Sequence, residues 1–164
     1  MSPTEPLPKL PVLHSIIALL EEGQAAYRLV EHGPTRTCEE SAAARGEALE
    51  IGGKSIVLKV GETFRLCVLS AARRLNSNGV RRHFGESRAR FATAEELAEL
   101  TGLVPGCVPP FGPPILPLPH VLDQAFLENS RIAFNAGSLH HSIVMQLDDY
   151  LRLSRPQLLA CSKP

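Results

Sequence analysis

Gly52-Gly53-Lys54-Ser55-Ile56-Val57-Leu58-Lys59-Val60-Gly61-Glu62-Thr63-Phe64-Arg65-Leu66-Cys67-Val68-Leu69 is the stretch on which the fold turns. Ile56 to Val60 and Phe64 to Leu69 are β-branched and apolar runs divided by Gly61-Glu62-Thr63, which predicts a hairpin of buried strands. Upstream, Leu13, Ile16, Ile17 and Leu20 recur at the three-and-four spacing of an amphipathic helix that Gly23 ends. Tyr27 to Val30 reads as a short strand and Gly33-Pro34 as a turn. Thr37 followed by Glu40 reads as a capping box opening an alanine-rich helix that Gly46 stops. Downstream, Ala89 to Ala92 is a further strand, and Thr93 with Glu96 caps a helix over Ala94 to Leu100 that Gly102 closes. Ile132 to Asn135 and Ile143 to Leu147 read as strands, and Asp148 as the cap of a last short helix. Helices and strands thus alternate irregularly, so the expected class is α/β or α+β with a mixed sheet, because a hairpin and crossovers share one chain.

A chain of 164 residues is one domain's worth of material. Residues 1–11, with Pro3, Pro6, Pro8 and Pro11, are expected to form a proline-rich arm, and 12–164 a single domain. Lys+Arg 17 against Asp+Glu 17 leaves no net charge, so any nucleic-acid contact has to be a local patch. At 44% hydrophobic and 21% charged the chain is neither disordered nor fibrous. No apolar run approaches the roughly 18 to 20 residues of a membrane span, and the first eleven residues hold no signal-peptide core, so no membrane partner and a cytosolic address are expected. Cys38, Cys67, Cys107 and Cys161 form no CxxC pair and are expected to be free thiols, which disfavours a zinc ribbon or dithiol site.

Four features could carry chemistry. Lys54 starts an apolar strand just after two glycines; it is either a strand-end lysine keeping its charge in water or a point charge holding a phosphate or carbonyl. Between Pro105 and Pro119 lie seven prolines and two glycines, too many for a helix interior or central strand. That loop is either a rigid connection or a backbone oxyanion site in which amides near Gly106, Cys107, Val108, Pro109 and Pro110 are fixed in place. His140-His141 follows Asn135-Ala136-Gly137-Ser138. Neighbours on a strand point to opposite faces, so one histidine could line a pocket while joint metal ligation is disfavoured. His14, His32, His83 and His120 are scattered without ligand spacing. Arg73, Arg74, Arg81, Arg82, Arg88 and Arg90 fall within eighteen residues, as a solvated helix face or a surface for a phosphate backbone. No GxSxG, Walker or GxGxxG pattern is present, and neither Cys38 nor Cys107 has a local base signature.

The order of His32-Gly33-Pro34, Thr37 to Ala42 and Lys54-Ser55-Ile56-Val57-Leu58 resembles the opening half of the YbaK/EbsC family, which includes the editing insertion of bacterial prolyl-tRNA synthetases. Gly102 to Gly112 is similar to that family's GxxxP loop, here Gly106 and Pro110. Leu118 to Asp123 and Asn135 to Ser138 fall where its later strands do, so the likeness runs from about residue 25 to 153. The resemblance implies a mixed, partly barrel-like sheet surrounded by short helices and an aminoacyl-tRNA deacylase that edits in trans, without metal or cofactor. It implies that Lys54 holds the terminal nucleotide of the tRNA and that amides around Gly106 orient the ester carbonyl and water. No side chain is an obvious general base in this scheme, and a ribose hydroxyl or the substrate itself assists. Ser55, Cys107, Val108, Pro109, Pro110, Gly137, Ser138, His140 and His141 are then expected near the substrate, and Arg73, Arg74, Arg81 and Arg82 on the tRNA. Alanine-specific relatives place His-Pro after the Asn-Ala step where Gly137-Ser138 stands here, so the implied substrate is mischarged tRNA carrying a small residue of the alanine, serine, threonine or cysteine class, not strictly alanine. The partners implied are that tRNA and, as a second candidate, an aminoacyl-tRNA synthetase. The rival reading is a non-catalytic tRNA- or synthetase-binding module of the same fold.

Overall fold

A computed structural model describes residues 10–164. Residues 1–9 of the expected arm lie outside the described residues, and Pro11 belongs to helix α1 (Pro11–Glu22), in a first turn that needs no N–H from it. Leu13, Ile16 and Leu20 form the buried stripe of α1, as their spacing requires. Strand β1 (Tyr27–Glu31) leads to helix α2 (Cys38–Arg45), where Thr37 accepts the Glu40 N–H at 3.1 Å and Gly46 closes the helix at φ +67°. The box expected at Thr37 is half made, because the Glu40 carboxylate accepts the Arg36 N–H at 2.9 Å and not that of Thr37.

Strands β2 (Gly53–Val60) and β3 (Thr63–Ser70) pair antiparallel along their whole length around Gly61. There follow β4 (Arg74–Leu75), helix α3 (Ser77–His83), β5 (Ala89–Phe91) and helix α4 (Ala94–Thr101), whose Thr93/Glu96 box is complete. The proline-rich segment has neither helix nor strand as far as β6 (His120–Asp123). β7 (Arg131–Asn135), β8 (His141–Gln146) and helix α5 (Leu147–Ser154) come next, then β9 (Gln157–Leu159) and β10 (Ser162–Lys163). The α5 cap position is Gln146, with no side-chain cap bond; Asp148 sits inside the first turn, where its charge still complements the helix dipole.

The larger sheet has the order β5-β2-β3-β6-β9, antiparallel over its first three strands and parallel from β3 onward, the mixed sheet expected. A second, antiparallel sheet runs β1-β8-β7, and a parallel bridge from Gly52 to Ala133 joins the two. The sheets meet there without closing into a barrel. β2 is buried on both faces: Val57 joins the main cluster with α1, β7 and β8, while Leu58 and Val60 join a second cluster with Val80 of α3 and Cys161. The proline-rich loop is anchored by Phe111, whose ring lies 5.4 Å from those of Phe134 and Tyr150, and by the Tyr150 hydroxyl, which donates to the Pro110 carbonyl. All four cysteines are free. Among the described residues no helix is long and apolar enough to cross a membrane.

Candidate active site

A cleft of about 180 Å³ opens at the seam between the two sheets. Its floor is Gly52-Gly53-Lys54-Ser55 with Ala71; one wall is Thr35 to Cys38 with Ser41 and Arg45 of α2, and the other is Gly106, Val108 and Asn135. Bare backbone keeps the floor open, because a side chain at Gly52 would begin 3.1 Å from the Leu49 carbonyl and 3.2 Å from Ala71. Gly106 adopts φ +90°, a conformation that L side chains rarely take.

The Lys54 ammonium donates to the Arg73 carbonyl at 2.8 Å and has no other partner among the described residues, so two of its three donors remain free. The N–H groups of Gly106 and Val108 also carry no hydrogen bond among the described residues, whereas that of Cys107 is spent on the Val104 carbonyl at 3.1 Å. The Gly106 carbonyl accepts from Asn135 Nδ2 at 2.8 Å, and Asn135 Oδ1 accepts from Arg45 Nη2 at 3.0 Å. Arg45 Nε donates to Ser142 Oγ at 2.9 Å, and Ser142 lies opposite Asn135 in the β7–β8 register. His32 Nδ1 is 2.7 Å from the Gly33 carbonyl and Nε2 is 2.8 Å from Ser142 Oγ, whose single proton also has the Asn135 Oδ1 acceptor within reach at 3.1 Å. Burial lowers Arg45 from its ordinary value to about 10, which keeps it charged at neutral pH. Ser55 Oγ is buried without a partner among the described residues.

A cation with free donors, two free amides on a rigid loop and a hydrogen-bonded Arg-Asn pair behind them can polarise a carbonyl and hold an anion. The model for the aminoacyl-tRNA editing domain matches residues 32–153, the span that contains all of these groups. The chain belongs to this family. It is 38% identical over 150 residues to the multifunctional Ser/Thr-tRNA deacylase ProXp-y of Escherichia coli, covering 88% of this chain and 89% of that protein. It is 24% identical over 140 residues to the prolyl-tRNA editing protein ProX of Acetoanaerobium sticklandii, covering 82% and 85%. A crystal structure of a candidate trans-editing enzyme for prolyl tRNA synthetase superposes with a TM-score of 0.80 at 28% identity, over 94% of this chain and 98% of that one.

In this editing domain Lys54, Ser55, Gly106 and Val108 meet in the cleft, and the other expected substrate residues do not line it. Cys107 is buried beneath the loop, where burial raises its thiol. Pro109 and Pro110 are buried too, on the side held by Tyr150. Gly137, Ser138, His140 and His141 sit outside the cleft because the β7–β8 turn backs onto α1: a side chain at Gly137 would begin 2.9 Å from Val12. Ser138 Oγ bonds the His140 N–H at 3.0 Å and faces His141 Nδ1 at 2.9 Å. His140 lies in the turn, so the opposite-face argument for a strand pair does not apply to it. In the arginine run, Arg73 Nε is committed to Ser162 Oγ at 2.6 Å and lies 3.9 Å from Asp123. Arg81 bonds the Glu86 carbonyl and Arg90 makes a bidentate pair with Glu96, which leaves Arg74, Arg82 and Arg88 exposed without side-chain partners among the described residues.

Sequence reasoning missed Arg45, Thr35 and Ser41 as cleft-lining residues, and the link from Asn135 to Gly106 and Arg45. Arg45 precedes Gly46 at a helix end, where an arginine ordinarily complements the dipole. Its partners Asn135 and Ser142 lie 90 and 97 residues away, so no local signal marks it.

Proposed function

We propose that this editing domain acts as a stand-alone deacylase that hydrolyses, in trans, the ester linking serine or threonine to a mischarged tRNA. The observation that carries this reading is the meeting in one cleft of Lys54 with the free Gly106 and Val108 amides, loop and strand start being some fifty residues apart in sequence. The 38% identity to a Ser/Thr-tRNA deacylase supports the choice of amino acid.

In this mechanism the Lys54 ammonium holds the terminal nucleotide, and water attacks the ester carbonyl carbon. The electron pair displaced onto oxygen is stabilised by the Gly106 and Val108 amides, which need no reorganisation because the loop is already fixed. The intermediate collapses by expelling the ribose oxygen, which takes up a proton, and the free amino acid leaves. The ester is already activated, so an oxyanion stabiliser matters more than a strong nucleophile; the substrate amine takes the proton lost by the attacking water, directly or relayed through a ribose hydroxyl, and returns it to the departing ribose oxygen. A single methyl or hydroxyl gives only about 1–3 kcal/mol of discrimination in one pocket, the physical reason for a second sieve after charging. We place this activity in the cytosol, on tRNA released by or handed over from a synthetase.

The test is the deacylation rate of tRNA carrying alanine, serine, threonine, cysteine or proline, with wild type and Lys54→Ala side by side. Serine and threonine should be released well above the buffer rate, and Lys54→Ala should lower that rate about a hundredfold with the fold intact. Ester loss no faster than buffer on every substrate, with tRNA bound, would make this a binding module instead.

A further inference from the structure

Arg45 is 8% exposed, and every hydrogen bond it donates ends on a neutral oxygen, Ser142 Oγ or Asn135 Oδ1. No carboxylate lies within 4 Å of its guanidinium among the described residues, and both oxygens of nearby Glu47 are engaged by Arg28 and Arg131. Its third nitrogen, Nη1, has no hydrogen bond among the described residues and lies 3.6 Å from the position a side-chain carbon would take on Gly52 at the cleft floor. An unpaired buried cation is costly, and a neutral glutamine could make the same link to Asn135. Glu47 offsets part of that cost from beyond 4 Å, and a negative group in the occupied cleft would offset more.

Ester hydrolysis produces such a group. When water adds to the ester carbon, the carbonyl electron pair moves onto oxygen, and the negative charge lasts until the ribose oxygen is expelled. We infer that Arg45 is the electrostatic partner of that oxyanion: its charge faces the cleft through Nη1, and through Asn135 it holds Gly106 so that the loop amides point inward. The inference rests on the deacylase reading above and adds a residue to it. The titratable and charged groups around Arg45 are Cys38 on its own helix, Glu47 just beyond it with its partners Arg28 of β1 and Arg131 of β7, His32 behind Ser142, and Lys54 across the cleft.

The experiment separates charge from shape with Arg45→Gln and Arg45→Lys, assayed on seryl-tRNA over a range of pH with buffer hydrolysis subtracted and thermal melts as the fold control. Arg45→Gln should lower kcat about a hundredfold with KM changed only a few-fold, the loss expected for a missing transition-state interaction. Arg45→Lys should keep most of the activity at neutral pH. The burial that lowers the arginine also lowers a lysine placed there, so the Arg45→Lys rate should fall as pH rises, through a range in which wild type holds its rate. Equal losses in both variants with no added pH dependence, or an Arg45→Gln kcat within twofold of wild type, would overturn the inference. If Arg45→Gln does not fold, the Arg45→Lys pH profile decides, and failure of both to fold assigns Arg45 a structural role only. A wild-type protein inactive on every aminoacyl-tRNA would sink the deacylase reading itself, a result distinct from an active wild type with unaffected variants.

Discussion

Gly106 shows how much one residue decides here. Its φ of +90° turns the loop so that its own N–H stays free while its carbonyl goes to Asn135, and a Cβ there would lie 3.3 Å from Leu139. Gly106→Ala should strain the backbone by about 1–3 kcal/mol or swing the amide out of place. The steady-state kcat for deacylation is expected to fall at least tenfold while KM moves little; a full rate with an unshifted melting temperature would remove Gly106 from the proposed oxyanion site. Gly106 and Lys54 stood out in the sequence because a glycine among prolines and a cation opening an apolar strand are local anomalies, and the family resemblance alone gave them expected roles. Arg45 was not, since an arginine before a terminal glycine looks like any helix end.

Elements follow their local signals closely. The β2–β3 hairpin, the Thr93 box and the glycine stops were readable because turn chemistry and capping act over three or four residues. β4, β9 and β10 were not, at two or three residues each, because they exist only by virtue of the strands they pair with. Between elements, Glu47 ties the end of α2 to β1 through Arg28 and to β7 through Arg131, at 2.7 and 2.8 Å. The hydrogen bonds from Arg131 and then Arg28 hold its carboxyl below the usual range. A depressed carboxylate contributes stability that is present above its unfolded pKa and lost as pH falls through the folded one. The melting temperature of wild type should therefore exceed that of Glu47→Gln at neutral pH, and the two should converge in acid. The gap should be small, because the arginines are about half exposed and screened. Parallel curves down to acid pH would show that Glu47 gives no such linkage.

At the scale of the whole molecule, equal numbers of basic and acidic residues leave no long-range field to draw in tRNA, so affinity falls to a local surface. The arginine run begins beside the cleft, since Lys54 is bonded to the Arg73 carbonyl, and the exposed side chains of Arg74 and Arg82 lie further along it. Reversing Arg74, Arg81 and Arg82 to Glu should weaken tRNA binding at least tenfold and flatten its logarithmic salt dependence by roughly one unit for each phosphate no longer neutralised. Arg73→Glu should instead perturb folding, through Ser162 and Asp123. An unchanged salt slope in the triple variant would mean that tRNA docks elsewhere. The amino-acid sequence by itself determined the β2–β3 hairpin, the capped helices, the free thiols and the family likeness, because period, turn chemistry and motif order are properties of neighbours along the chain. Only the tertiary structure decided that His140 and His141 stay out of the cleft lining and that Arg45 reaches Asn135 and Ser142, because those contacts depend on how α2 packs against the β7–β8 pair, about ninety residues further along the chain.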